Sequence, residues 1–311
     1  MGNGFDVAHG LKTTYWELRK YIEEKNDGFL NMFENLYNIQ PLDDTEPWYT
    51  KEAQERWNKA VNHNLWSEFE KIMGNPNSTG MLEQSISATE GMPTMGIRYH
   101  MDLYWKEEFR FIDRLQNYVK EWIESVDTDN VPCRKKSLIN STDFFFNFNY
   151  TDILEKIYNI ENVLHIHGGV TSICNISPIM GHCNIQDIQK HRQWAKEADA
   201  EFAESEASIQ DAVANYLESI HKDTREQIIL NQNFFDKLKI VKSVVIIGWS
   251  AGDVDITYLQ KIIKSVNPDV HWTVYWYDDA AYNSLTKAFQ KEGIIDKDII
   301  EYIQSDVFWD D

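Results

Sequence analysis

From residue 140 onward the chain alternates short apolar runs with stretches of helical period. The runs Phe144–Tyr150, Val163–His167, Val244–Trp249, Trp272–Tyr277 and Ile299–Ile303 predict strands, being rich in β-branched and aromatic residues and bounded by turn formers. Between them Tyr258, Ile262 and Val266, and then Ala281, Leu285 and Phe289, recur at helical spacing and predict covering helices. Strands alternating with helices are the mark of a layered α/β domain. Three of the runs end in turns bearing glycine or asparagine, at 147–151, 167–169 and 248–250. Ligands of open α/β sheets gather beyond the carboxyl ends of strands, so these turns are where chemistry is sought.

Residues 14–139 follow another pattern, helix after helix with large aromatics, as in Tyr15, Leu18 and Ile22 and then Phe29, Phe33 and Leu36. Residues 185–239, rich in Ala, Glu and Gln, read as a second helical stretch. The expected organisation is a core built from residues 1–13, 140–184 and 240–311, with helical insertions at 14–139 and 185–239. The stretch Asn75–Thr94, with its Ser, Gly, Met and Pro, reads as a long loop. The opening Met1-Gly2-Asn3-Gly4-Phe5-Asp6 resembles a turn that follows a buried strand, so a strand ahead of Met1 is expected.

Composition narrows the partners. The 311 residues are 42% apolar and 26% charged, an ordinary globular balance for one large domain or two intimate ones. Lys and Arg number 30 against 50 Asp and Glu, a net charge of −20 that disfavours nucleic acid and anionic lipid. The short run Arg134-Lys135-Lys136 does not override it. Three scattered cysteines, Cys133, Cys174 and Cys183, exclude a disulfide framework and a four-cysteine zinc site. With no signal segment and no run of about 18 apolar residues, a cytoplasmic protein with no membrane partner is expected. Eleven tryptophans exceed what a core usually takes, which points to a homo-oligomer.

Four segments carry candidate chemistry. Gly2-Asn3-Gly4, followed by Asp6, leaves the backbone bare at two points, so amides can close on an anion. A carboxylate beside phosphate is repulsive, which makes Asp6 a helix cap or a ribose hydroxyl acceptor. Asn147 and Asn149 share one strand face, and Asn149 can hold a water or a sugar hydroxyl; the alternative is a pair of turn residues. His165 and His167, at i and i+2, point to one side, and Gly168 lets a ligand approach His167, an imidazole suited to general base work; either histidine could instead be a satisfied core residue. In Gly248-Trp249-Ser250-Ala251-Gly252-Asp253, the glycine and serine can hold phosphate or ribose. The same segment fits a G-x-S-x-G nucleophile pattern, but the only later histidine is His271, at a strand start.

Taken in order, residues 2–11 (Gly-Asn-Gly-Phe-Asp-Val-Ala-His-Gly-Leu), 148–151 (Phe-Asn-Tyr-Thr), 165–168 (His-Ile-His-Gly) and 248–255 (Gly-Trp-Ser-Ala-Gly-Asp-Val-Asp) resemble the AbiH family of bacterial phage abortive-infection proteins. The same order is more distantly similar to the sirtuin-like NAD-hydrolysing domains of bacterial defence systems. That similarity implies a Rossmann-like, mostly parallel sheet with large helical insertions, and NAD as substrate with no metal. It makes Asn149 and His167 the catalytic pair. Gly2, Asn3, Gly4, Asp6, Thr151, Asp152, Gly168, Gly248, Ser250 and Asp253 then bind the nucleotide. Thr151 stands where those domains often have Asp, with Asp152 following it. The implied protein is an effector that hydrolyses NAD at the nicotinamide–ribose bond after a phage-derived trigger. Two rivals stand beside it: a metal-dependent hydrolase or nuclease using His165 and His167 with His182 and Asp253 or Asp6, and a non-catalytic nucleotide sensor.

Overall fold

The computed structural model describes all residues except 44, 46, 47, 90–95, 110, 111, 135–139, 141, 171–175, 296, 297, 310 and 311. At 82, 84–86, 88, 89, 108, 112 and 113 it describes the backbone alone. Cys174, Lys135 and Lys136 thus lie outside the described residues; Cys133 and Cys183 are exposed. The chain forms two units, one of Met1–Thr14, Lys120–Ile179 and Asp223–Asp311, the other of Tyr15–Val119 and Met180–Lys222.

The first unit is mixed α/β, with short parallel strands. β1 (Phe145–Asn147) pairs with β2 (Val163–His165), and Phe145 faces Val163 in register. β3 (Ser243–Ile246), β4 (His271–Trp276) and β5 (Ile300–Gln304) form a second parallel sheet in that order. All five strands fall inside the apolar runs of the sequence or within one residue of them. The runs shorten at their carboxyl ends because turn residues take over: Gly168 and Gly248 have φ of +71° and +67°, which side-chain-bearing residues rarely adopt. The first residues sit among these strands. The Met1 amino group donates to the Phe146 carbonyl (2.8 Å), Phe148 N to the Met1 carbonyl (3.0 Å) and Gly2 N to the Ile247 carbonyl (2.9 Å).

Two apolar clusters hold the unit together. Trp272, Val274, Leu259, Leu285 and Phe289 are buried in one, and Phe5, Ile153, Leu154, Ile247 and Phe308 in the other. Full burial of each large apolar side chain contributes roughly 1.5–3 kcal/mol. The covering helix Asp279–Lys291 is started by Asp278, whose carboxylate accepts from Ala281 N at 2.7 Å.

The second unit is helical among its described residues, apart from one isolated bridge between His182 and His221. Its first helix, Tyr15–Asn35, breaks at Asn26, whose side chain restarts it by accepting from Phe29 N. Phe33, Trp66 and Phe69 pack as an aromatic core. Among the described residues, Arg19 with Glu34 and Lys222 with Glu70 form buried ion pairs in this unit. The stretch read as a loop at Asn75–Thr94 is corrected: Ser78–Thr89 is a helix, because Asn77 accepts from Gly80 N and caps it. Residues 90–94 lie outside the described residues. No helix among the described residues is long and apolar enough to cross a membrane.

Candidate functional site

The turns after β1, β2 and β3 bring several of the sequence candidates together. Gly2 and Gly4 lie against Gly248: Gly4 N donates to the Gly248 carbonyl at 2.8 Å, and a Cβ on Gly2 would sit 2.5 Å from that oxygen. A Cβ on Gly248 would lie 2.3 Å from Phe5 N. Three glycines are needed so that two backbone turns can touch. The amides of Gly2, Gly4 and Phe5 bond to the carbonyls of Ile247, Gly248 and Gly2, so they are spent inside the protein. This corrects the expectation that the Gly2 and Gly4 amides cradle an anion.

Asp6 is the buried centre of the cluster. It lies within the helix Asn3–Ala8, so it is neither that helix's cap nor open to a ribose hydroxyl. Asn149 Nδ2 donates to its Oδ1 and Thr151 Oγ1 to its Oδ2, both at 2.7 Å. Burial pushes the Asp6 carboxyl up to about 7, opposed by these two hydrogen bonds and by the charges of His165 and the Met1 amino group. The same Asn149 nitrogen donates to the Gly2 carbonyl at 3.1 Å, and Asn149 N donates to Asn147 Oδ1 at 3.2 Å. The carboxamide nitrogen is therefore committed inward, leaving Oδ1 as the acceptor Asn149 can offer a ligand.

The two histidines do not share a face, because the strand ends at His165 and the chain turns at Gly168. His165 contacts the Asn149 carbonyl through Nδ1 (2.9 Å) and Glu155 Oε1 through Nε2 (2.8 Å). His167 instead packs against the rings of Phe148 and Tyr258, with Nε2 3.6 Å from Asp255 Oδ1. Trp249 stacks flat on Phe148, the ring planes 3° apart. Asn149 and His167 are only 5% and 3% exposed.

The remaining candidates scatter around this cluster. Asp152 turns to Thr128 (2.8 Å) and Lys156 (3.2 Å) and makes no side-chain cap of its own helix. Asn3 accepts from Thr13 at 2.7 Å, while Ser250 and Asp253 are exposed. His271 begins β4 opposite Ser243, at the end of β3 away from Ser250, so the serine triad has no histidine. Asp255 and Glu155 were not singled out as site residues from the sequence, and Tyr258 was read only as part of a covering helix face. Asp255 stood inside a quoted motif, and Glu155 follows Asp152 at capping-box spacing but bonds to His165 instead.

The described residues contain no group of three or more His, Cys, Asp or Glu arranged for a metal. Both ring nitrogens of His165 are engaged, and His182 lies in the other unit with its nitrogens on Leu217 O and Asn184 N. Among the described residues the metal-ligand set drawn from the sequence is not assembled.

No curated protein and no solved structure matches the chain. A family model, Bacteriophage abortive infection AbiH, matches residues 1–276, a span that holds Asp6, Asn149, Thr151, both histidines and the Gly248 turn. The glycine-linked turns and the carboxyl they bury thus belong to a member of the AbiH family of phage abortive-infection proteins.

Proposed function

We propose that this protein is a cytoplasmic phage-defence effector whose first unit, read as a Rossmann-like core, binds NAD or a related nucleotide and cleaves its nicotinamide–ribose bond. One observation carries the reading: the Asn149 carboxamide and the Asp6 carboxyl, from distant segments, bond to each other beyond the end of β1, and the His167 imidazole on the turn after β2 faces the Asp255 carboxylate, at the strand ends where α/β sheets bind ligands. In the proposed reaction the glycosidic C–N bond breaks, neutral nicotinamide leaves, and water attacks the oxocarbenium-like carbon. Asn149 Oδ1 orients the water or a ribose hydroxyl. His167 takes the proton from the water, and Asp255 stabilises the resulting imidazolium. A well-placed base of this kind is worth about 10² to 10⁴ in rate. Phosphate contacts fall to the exposed Ser250 hydroxyl, since the amides of Gly2 and Gly4 are spent. The burial of Asn149 and His167 requires local opening before a nucleotide enters, which fits an effector that waits for a phage-derived trigger and works as a homo-oligomer.

The test is to incubate purified protein with NAD, alone and with lysate from phage-infected cells, and to measure free nicotinamide. Release in either condition supports cleavage. Saturable NAD binding without release assigns the chain to sensing. Neither binding nor release, with lysate present, removes the nucleotide reading.

A further inference from the structure

We propose that a cavity along the open edge of β2 is a binding site for an aliphatic di- or polyamine, separate from the Asn149 cluster and independent of the NAD reading. The cavity measures about 650 Å³. Val163, Leu164 and His165 all line it, although consecutive side chains of a strand alternate faces, so it runs along the strand's edge and not over one face. Among the described residues β2 pairs only with β1, so no described strand covers its other edge.

The chemistry of the lining selects the ligand. Glu155 and Glu161 contribute carboxylates, and Gln227 and Asn231 contribute amides. Among the described residues the one basic side chain in the lining, His165, is turned onto Glu155 Oε1. Glu155 Oε2 is buried and accepts no hydrogen bond from the described residues. A buried carboxylate oxygen is expected to meet a donor, so this atom calls for one. Between the polar groups lies an aliphatic strip of Val163, Leu164 and Ile176. Phosphates and other anions are repelled by the two carboxylates, and among the described lining residues there is no Phe, Tyr or Trp on which a sugar could stack. A methylene chain with ammonium ends satisfies all of it: the chain lies on the strip, and the ends donate charge-assisted hydrogen bonds to Glu155 and Glu161. The net charge of −20 further raises the local concentration of such cations.

The probe is 1,4-diaminobutane, titrated by calorimetry into the full chain and checked by thermal melting, with 1,4-butanediol and ammonium chloride of equal ionic strength as controls. The expected result is saturable binding with a raised melting temperature that neither control reproduces. Glu155→Gln and Glu161→Gln should each weaken binding at least tenfold, because each converts an ammonium acceptor into a neutral amide. The amide introduced by Glu155→Gln can still accept from His165, and Glu161 is exposed, so the second variant reads the site should the first fail to fold. A response matched by ammonium chloride, equal binding of the diol, or unchanged affinity in Glu161→Gln would overturn the proposal.

Discussion

Both units bury charged or titratable groups, but the ion pairs of the helical unit and the Asp6 carboxyl of the α/β unit are partnered differently. In the helical unit, Arg19 meets Glu34 through two hydrogen bonds at 2.8 and 3.2 Å, and Trp66 adds a third to the same carboxylate. Lys222 reaches both oxygens of Glu70 at 3.0 and 3.2 Å. In the α/β unit the groups bonded to the Asp6 carboxyl are an amide and a hydroxyl, both neutral. An opposite charge offsets the cost of burial, whereas a neutral donor only replaces water. The ion pairs therefore act as scaffold, and Asp6, pushed up to about 7, exchanges its proton in the physiological range.

Breaking a scaffold pair should give the largest effect. Lys222→Met strands Glu70 in the interior and is expected to cost about 3–5 kcal/mol in urea unfolding, much of it recovered in Lys222→Met/Glu70→Leu. A loss under about 1 kcal/mol would make the pair incidental. The next effect depends on pH. A carboxyl held protonated by the fold contributes stability that is complete below its ordinary value near 4 and lost as pH rises through 7. The stability of wild type relative to Asp6→Asn should therefore fall between about pH 4 and 7, by up to about 1.4 kcal/mol per unit at its steepest. The subtraction leaves out most of what the Met1 amino group and His165, which face the same carboxyl, contribute in both proteins. A flat difference would mean that Asp6 ionises like a surface carboxylate. The smallest effect is Thr151→Val, which removes one donor: about 1 kcal/mol at pH 8, less at pH 5, and an Asp6 midpoint moved further up.

The strands and the site turns were legible because their signals are local. Apolar runs closed by Asn-Phe-Asn-Tyr, His-Gly-Gly and Gly-Trp-Ser located β1, β2 and β3, whereas the paired glycines were read as closing on an anion. What they approach was not legible: Gly2 and Gly4 meet Gly248, nearly the whole chain away, and no local pattern encodes that contact. The placement of His165 and His167 on one side failed because a period of two holds only while the strand continues, and this one stops at His165. Helix Ser78–Thr89 was hidden by Ser, Gly and Thr, although the Pro76-Asn77 pair ahead of it was a start signal. The partners of Arg19 and Lys222, brought together by packing helices, left no trace in spacing.

The most direct test compares nicotinamide release by wild type, Asn149→Ala and His167→Ala, each checked for an unchanged melting curve. Wild type is expected to release nicotinamide and neither variant to do so above background, with NAD intact in both variant reactions. Equal release from a folded Asn149→Ala protein would contradict this, since the carboxamide bonded to Asp6 would then have no part in the chemistry.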